Sequence, residues 1–299
     1  MNIDVDQRNL PNFFIIGAAK SGTTSLAYYL NQHPEIYIPK EKETNFFDDD
    51  RMFNKGVSFY AKHFYSRAGK YLARGDATPA YMRLFEKTIP RIQCCIPKQG
   101  QRFIVILRDP AVRAWSHYQH MSRTRLERLP FKDALAAEER RLADNPDRWV
   151  GYFRDGLYAK QLSRWFAAFK RENFFVILHH RFISEPNQIL KEAFHFLGVD
   201  STFRVPDLSW KNEAGIPRID LLMRLLSEPS LFSRMYAKLV PLQTRLRLRT
   251  YLINLNTKRG QVAESPDPQV MAELKARYKK DIQELERMLG WDLHQWYDV

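Results

Sequence analysis

The run Phe103-Ile104-Val105-Ile106-Leu107 is apolar at every position, so no alternation sets an inner face against an outer one. A strand of that kind must be covered on both sides, as in parallel sheets whose crossover helices lie on the two faces. Shorter β-rich runs occur at Asn12–Ile16, Tyr71–Ala73 and Phe174–Leu178. Stretches of helical periodicity lie at Thr23–Gln32, Ala111–Met121, Leu157–Phe169 and Pro186–Leu197. Strands alternating with helices predict an α/β fold, a doubly wound parallel sheet flanked by helices. His33-Pro34 ends the first helix, because the residue before proline is pushed out of the α region. Leu197-Gly198 supplies a glycine C-cap to another. Beyond Trp210 the strand signals stop, and helices are expected over 217–227 and 268–289. The expected organisation is a single domain over 1–299, with an α/β nucleotide-binding core at 11–215 and a basic helical C-terminal extension at 216–299.

Several classes of protein are disfavoured at once. The first apolar stretch, Phe13–Ile16, is far shorter than the roughly 18 residues of a membrane span. The opening residues show no basic and apolar leader pattern, which makes the cytoplasm the expected location. Cys94 and Cys95 are adjacent, so they neither staple the fold nor match zinc spacing, and they read as reduced core residues. His33 reads as shaping the turn before Pro34, while His117, His120, His179, His180 and His195 have no metal spacing and receive no role. No metal is expected. The formal net charge of +13 favours an anionic partner, and more than half of it lies in Arg224–Arg259, where eight basic residues meet one acid, Glu228.

Three segments carry chemistry. In the first, Phe13-Phe14-Ile15-Ile16 leads through Gly17-Ala18-Ala19-Lys20-Ser21-Gly22 into Thr23-Thr24-Ser25-Leu26: a strand, a glycine-containing loop and a helix start. Unpaired amides at a helix start carry the positive end of the dipole, so they cradle a phosphate while hydroxyls and one lysine add donors. Lys20 precedes Gly22, whereas a nucleoside-triphosphate loop of the Walker type places lysine after that glycine. In the second, Lys42-Glu43-Thr44-Asn45-Phe46-Phe47 follows one helix later, where this topology puts loops over the ligand crevice. A carboxylate there can accept a proton from an attacking hydroxyl. The third sets Arg108 at the carboxyl end of the apolar strand and Ser116 eight residues on. An arginine fork with a serine hydroxyl forms a phosphate clamp.

Lys20–Leu26, together with Leu107-Arg108-Asp109-Pro110 and Ser116, resembles the 5′-phosphosulfate loop and the 3′-phosphate site of sulfotransferases that use 3′-phosphoadenosine 5′-phosphosulfate (PAPS). The run Lys42–Phe47 resembles the heparan-sulfate and bacterial carbohydrate branch of that family. Gly75-Asp76-Ala77-Thr78-Pro79-Ala80-Tyr81, Gly156-Leu157-Tyr158, Trp165, Asn212 with Pro217-Arg218, and Leu289-Gly290-Trp291 add to the likeness.

The resemblance implies a P-loop-containing fold, PAPS as sulfuryl donor and PAP as product. It places Lys20, Ser21, Gly22, Thr23, Thr24 and Ser25 on the 5′ side, and Arg108, Ser116, Tyr158 and Arg218 toward the 3′-phosphate, with simple packing of Tyr158 and an exposed helix-start position for Arg218 as equal readings. Glu43 is then the general base and Lys20 the stabiliser of the leaving phosphate, with Lys42 and Asp76 as acceptor-side residues; for Asp76 a structural cap is an equal reading. The implied acceptor is a hydroxyl of a carbohydrate or glycolipid, with a lipid, a polyketide or another small alcohol as alternatives. Nucleic acid is not expected as a partner, since no RNA-binding sheet motif or finger spacing occurs. Rival readings are an ATP-dependent small-molecule kinase and a non-catalytic nucleotide or nucleic-acid binder. Arg224–Arg259 reads as a solvated helical face, a footprint on an anionic membrane or an acidic-glycan groove.

Overall fold

The computed structural model describes residues 6–97, 101–209, 216–217, 257–258 and 265–298. Five parallel strands, β1 (Phe13–Gly17), β2 (Ile36–Tyr37), β3 (Ala73–Asp76), β4 (Arg102–Leu107) and β5 (Phe174–Leu178), form one sheet in the order β2-β3-β1-β4-β5. Among the described residues the α-helices are α1 (Thr23–Leu30), α2 (Asp50–Phe53), α3 (Val57–Phe64), α4 (Ala80–Arg83), α5 (Phe85–Cys95), α6 (Pro110–Arg123), α7 (Phe131–Asp144), α8 (Tyr158–Ala168), α9 (His179–Ser184), α10 (Pro186–Leu197) and α11 (Pro268–Leu289). Every residue of β1 is buried, as are Phe103 to Leu107 in β4, which is why these two strands are apolar throughout.

The strand expected at Tyr71–Ala73 is displaced to Ala73–Asp76. Tyr71 closes a turn onto the Ala68 carbonyl and Leu72 is exposed, whereas the polar Arg74 and Asp76 enter the sheet because their side chains find internal partners. Arg74 donates to the carbonyls of Leu10 and Tyr71. The two-residue β2, paired at Ile36 with Ala73, is too short to leave a periodic signal. Of the two cysteines, Cys95 is buried and Cys94 exposed, so only one is a core residue. His33 is buried behind the α1 turn, its Nε2 2.9 Å from the Asp200 carbonyl and its Nδ1 accepting from the Glu35 amide. Gly198 closes α10 in the left-handed conformation with φ 74°.

The contacts divide the chain into two compact units, one of residues 1–114, 153–212 and 272–299 and the other of 115–152 and 213–271. The first holds the sheet, and the C-terminal helix belongs with it rather than with a separate extension. There the Asp281 carboxylate accepts the Ala159 and Lys160 amides, and the Tyr278 hydroxyl donates to the Phe153 carbonyl. In the second unit, Glu127 holds Arg141 through a 2.6 Å ion pair and accepts the Tyr152 hydroxyl. Ile216–Pro217 and Thr257–Lys258 pair there as an antiparallel ribbon, a strand signal beyond Trp210 that the sequence pattern lacks. The remainder of the helix expected at 217–227, and Arg218 with it, lies outside the described residues, as does nearly all of Arg224–Arg259.

Gly75 illustrates how tightly β3 meets β1. It stands opposite Phe13, and a methyl group added to it would fall 2.3 Å from the Phe13 ring. Gly75→Ala is therefore expected to lose about 1–3 kcal/mol of stability through overpacking, read from urea unfolding; unchanged stability would contradict this packing.

Candidate active site

In the order β2-β3-β1-β4-β5 the chain runs one way from β1 and the other way from β4, so the switch point lies between these neighbours. Ligands in open α/β sheets bind beyond the carboxyl ends of the strands at such a point. The loop after β1 and the loop after β4 both open there. The Ala18 amide donates to the Ile106 carbonyl at 2.9 Å, which ties the first loop to β4. Lys20 (φ 69°) and Gly22 (φ 93°) adopt left-handed conformations, and the Ser21 amide turns back onto the Ala18 carbonyl. Gly22 stands at the N-cap of α1 with no side-chain cap, leaving the first-turn amides directed out of the helix start. Gly17 is required by close approach, since a Cβ there would meet Met82 Sδ at 2.6 Å.

Arg108 reaches across the switch point, its Nη1 donating to the Lys20 carbonyl at 3.3 Å. Burial lowers its pKa, as expected for a cation drawn out of bulk water. Asp109 does not pair this fork; its Oδ1 accepts the Ala111 and Val112 amides and caps α6.

Tyr158, for which contact with the 3′-phosphate and simple packing are both open from sequence, is fully buried. Its hydroxyl donates to the Arg108 carbonyl at 2.9 Å and lies against Ser21, so it fastens the two loops from behind. Burial pushes its pKa up to about 12, keeping the phenol protonated as a donor. The Ser21 side chain is likewise enclosed.

The second segment joins the same cluster. Lys42 Nζ donates to Thr24 Oγ1 at 3.1 Å and lies 3.5 Å from Glu43 Oε1. Burial lowers the Lys42 pKa, while the carboxylates of Glu43 and Asp76 oppose that shift. Half of the Glu43 side chain is exposed, which leaves its carboxylate accessible to an acceptor.

Asp76 departs from its acceptor-side expectation: it has no exposed surface, and four hydroxyls donate to its carboxylate. Thr23 is buried, with Thr24 and Ser25 half-buried along the first turn of α1. Ser116 lies half-buried on α6 in the second compact unit.

His179, given no role from sequence, adjoins this cluster at the end of β5. Its Cδ2 is 3.5 Å from the position a Cβ would take on Gly22. Burial, then the charge of Arg108 and that of His180, lower its pKa to about 4. Nothing in the local spacing marks it; the parallel pairing of β5 with β4 brings it there. Among the described residues no cluster of His, Cys, Asp or Glu fits a metal ion.

A family model described as the sulfotransferase domain matches residues 10–213. The chain belongs to the sulfotransferase domain family. A sulfotransferase from Alicyclobacillus acidocaldarius is 30% identical and superposes with a TM-score of 0.70, covering 97% of this chain and 99% of that one. The human heparan sulfate glucosamine 3-O-sulfotransferase 5 is 29% identical over 197 residues, 64% of this chain and 54% of that protein. The membrane-associated sulfotransferase kil1 of Dictyostelium discoideum is 40% identical over 111 residues, 36% of this chain and 22% of that protein. The chain thus spans about half or less of the length of these two relatives.

The depressed His179 pKa has a definite sign. The unfolded state binds its proton below the ordinary value of 6.5 while the folded state stays neutral to about 4, so stability falls as pH drops through that window. His179→Gln is expected to flatten that part of the stability profile, followed by chemical denaturation at several pH values. An unaltered slope would contradict a half-buried, neutral His179.

Proposed function

We propose that this sulfotransferase-family chain moves a sulfuryl group from PAPS to a hydroxyl of a carbohydrate or glycoconjugate. One observation supports this most: the uncapped α1 start, Arg108 and the Lys42-Glu43 pair are fastened to one another at the β1/β4 switch point. The residues fit an adenosine bisphosphate donor. The first-turn amides of α1, with Lys20 and the half-buried Thr24 and Ser25 hydroxyls, hold the phosphate beside the sulfuryl group. Arg108 holds the 3′-phosphate, assisted by Ser116 and Arg218 as the family resemblance implies.

In the reaction the sulfur–oxygen bond to the donor phosphate breaks, and a sulfur–oxygen bond to the acceptor oxygen forms. Glu43 takes the acceptor hydroxyl proton, and Lys20 with the amides stabilises charge on the departing phosphate oxygen. The acceptor assignment rests on the Lys42–Phe47 resemblance and on the relative named for heparan sulfate glucosamine. A kinase is disfavoured by Lys20 standing before Gly22 rather than after it.

The test is transfer of labelled sulfur from PAPS to de-O-sulfated heparan sulfate and to a glycolipid fraction. Glu43→Gln is expected to lower kcat by about 10²–10⁴ with the affinity for PAP unchanged. Wild-type turnover in this variant would rule out Glu43 as base, and failure to label either glycan pool would reject the carbohydrate assignment.

A further inference from the structure

The loop bearing Glu43 holds a backbone shape that ordinary side chains disfavour. Glu43 (φ 69°) and Asn45 (φ 50°) are both left-handed, so something outside the loop must fix the turn. The next two amides show what does. The Phe46 N–H donates to Thr44 Oγ1 and the Phe47 N–H to the Tyr81 hydroxyl, each at 3.3 Å. Both hydroxyls donate their own protons to one oxygen, Asp76 Oδ2, at 2.7 Å from Thr44 and 2.8 Å from Tyr81.

The same carboxylate accepts Tyr60 at 2.6 Å on Oδ2 and Thr78 at 2.7 Å on Oδ1. Tyr60 stacks on Phe46 with ring centroids 4.2 Å apart, closing the circuit from the carboxylate back to the loop. Asp76 itself is fixed in the sheet, where it registers with Phe14 of β1. Burying an unpaired carboxylate is costly, and four hydroxyl donors compensate.

We infer that Asp76, acting through Thr44 and Tyr81, is a positioning residue that locks Glu43–Phe47 in its left-handed turn and so sets where the Glu43 carboxylate stands. The network transmits the position of β3 to the base. This inference rests on the reading of Glu43 as the base, and the two can fail separately.

A double-mutant cycle separates them, using labelled PAPS and de-O-sulfated heparan sulfate. Thr44→Val keeps the side-chain shape and removes the hydroxyl; kcat is expected to fall about tenfold while the Kd for PAP stays within about twofold. Thr44→Ser restores the hydroxyl and the rate. In a Glu43→Gln background, Thr44→Val is expected to cause no further loss, because its effect passes through the missing base. Fully additive losses would overturn the positioning role while leaving Glu43 as base. A Glu43→Gln enzyme with wild-type rate would instead remove the base reading.

Amide hydrogen exchange decides the positioning without an acceptor. Thr44→Val is expected to speed exchange at Phe46, and Tyr81→Phe at Phe47, by at least about tenfold, with the α1 amides unaltered. Unchanged exchange at Phe46 and Phe47 would overturn the inference even where the variants lose activity. Melting temperatures, measured alongside, distinguish a local release from global unfolding.

Discussion

The parallel pairing of β1 with β4 is the constraint from which the rest of the site follows. Phe14 registers with Phe103 and Ile15 with Ile104, so both strands end at the same edge of the sheet. Because the chain leaves β1 in one direction and β4 in the other, neither crossover covers that edge. A loop with outward amides and a loop with an arginine therefore lie side by side. Their spacing is held by backbone groups: the Ala18 amide on the Ile106 carbonyl, Arg108 on the Lys20 carbonyl and Tyr158 on the Arg108 carbonyl. Catalysis by preorganised donors needs this kind of rigidity, since the donors must not reorganise as charge develops.

The electrostatics follow from the same packing. Burial drives the pKa of both Arg108 and Lys42 downward, so each carries its charge at a desolvation cost that an incoming phosphate offsets. At Lys42 the carboxylates of Glu43 and Asp76 oppose that shift. The positive groups come from segments distant in sequence, yet Arg108 is tied to the Lys20 carbonyl and Lys42 to Thr24 at the start of α1. In the proposed function these groups meet the two anionic ends of one ligand.

Much of this was readable from residue patterns, and the omissions have physical causes. Phe103–Leu107 announced a central strand because burial on both faces removes alternation, and α10 was legible from Pro186 at its start and Gly198 at its close. Strand β3 was misplaced because Arg74 and Asp76 are polar, and their partners are remote in sequence. The glycine-containing loop after β1, Arg108 and the Lys42-Glu43 pair are marked by local spacing, and hydrogen bonds join these segments in the structure. For Tyr158 and Asp76 the sequence leaves a ligand-facing and a structural reading open, because local sequence does not reveal depth; both side chains are enclosed. His179 went unnoticed because its neighbours Gly22 and Arg108 are supplied by sheet order alone.

The central claim is that Arg108 and the phosphate loop form one pocket for a doubly phosphorylated adenosine. Isothermal titration of the protein with PAP, with ADP as comparison, tests it most directly. The account predicts saturable binding of PAP with one ligand per chain, tighter than ADP, and weakened at least about tenfold in Arg108→Ala through loss of a charge-assisted contact. Equal binding of PAP and ADP, or an Arg108→Ala protein that binds PAP as the parent does, would contradict it.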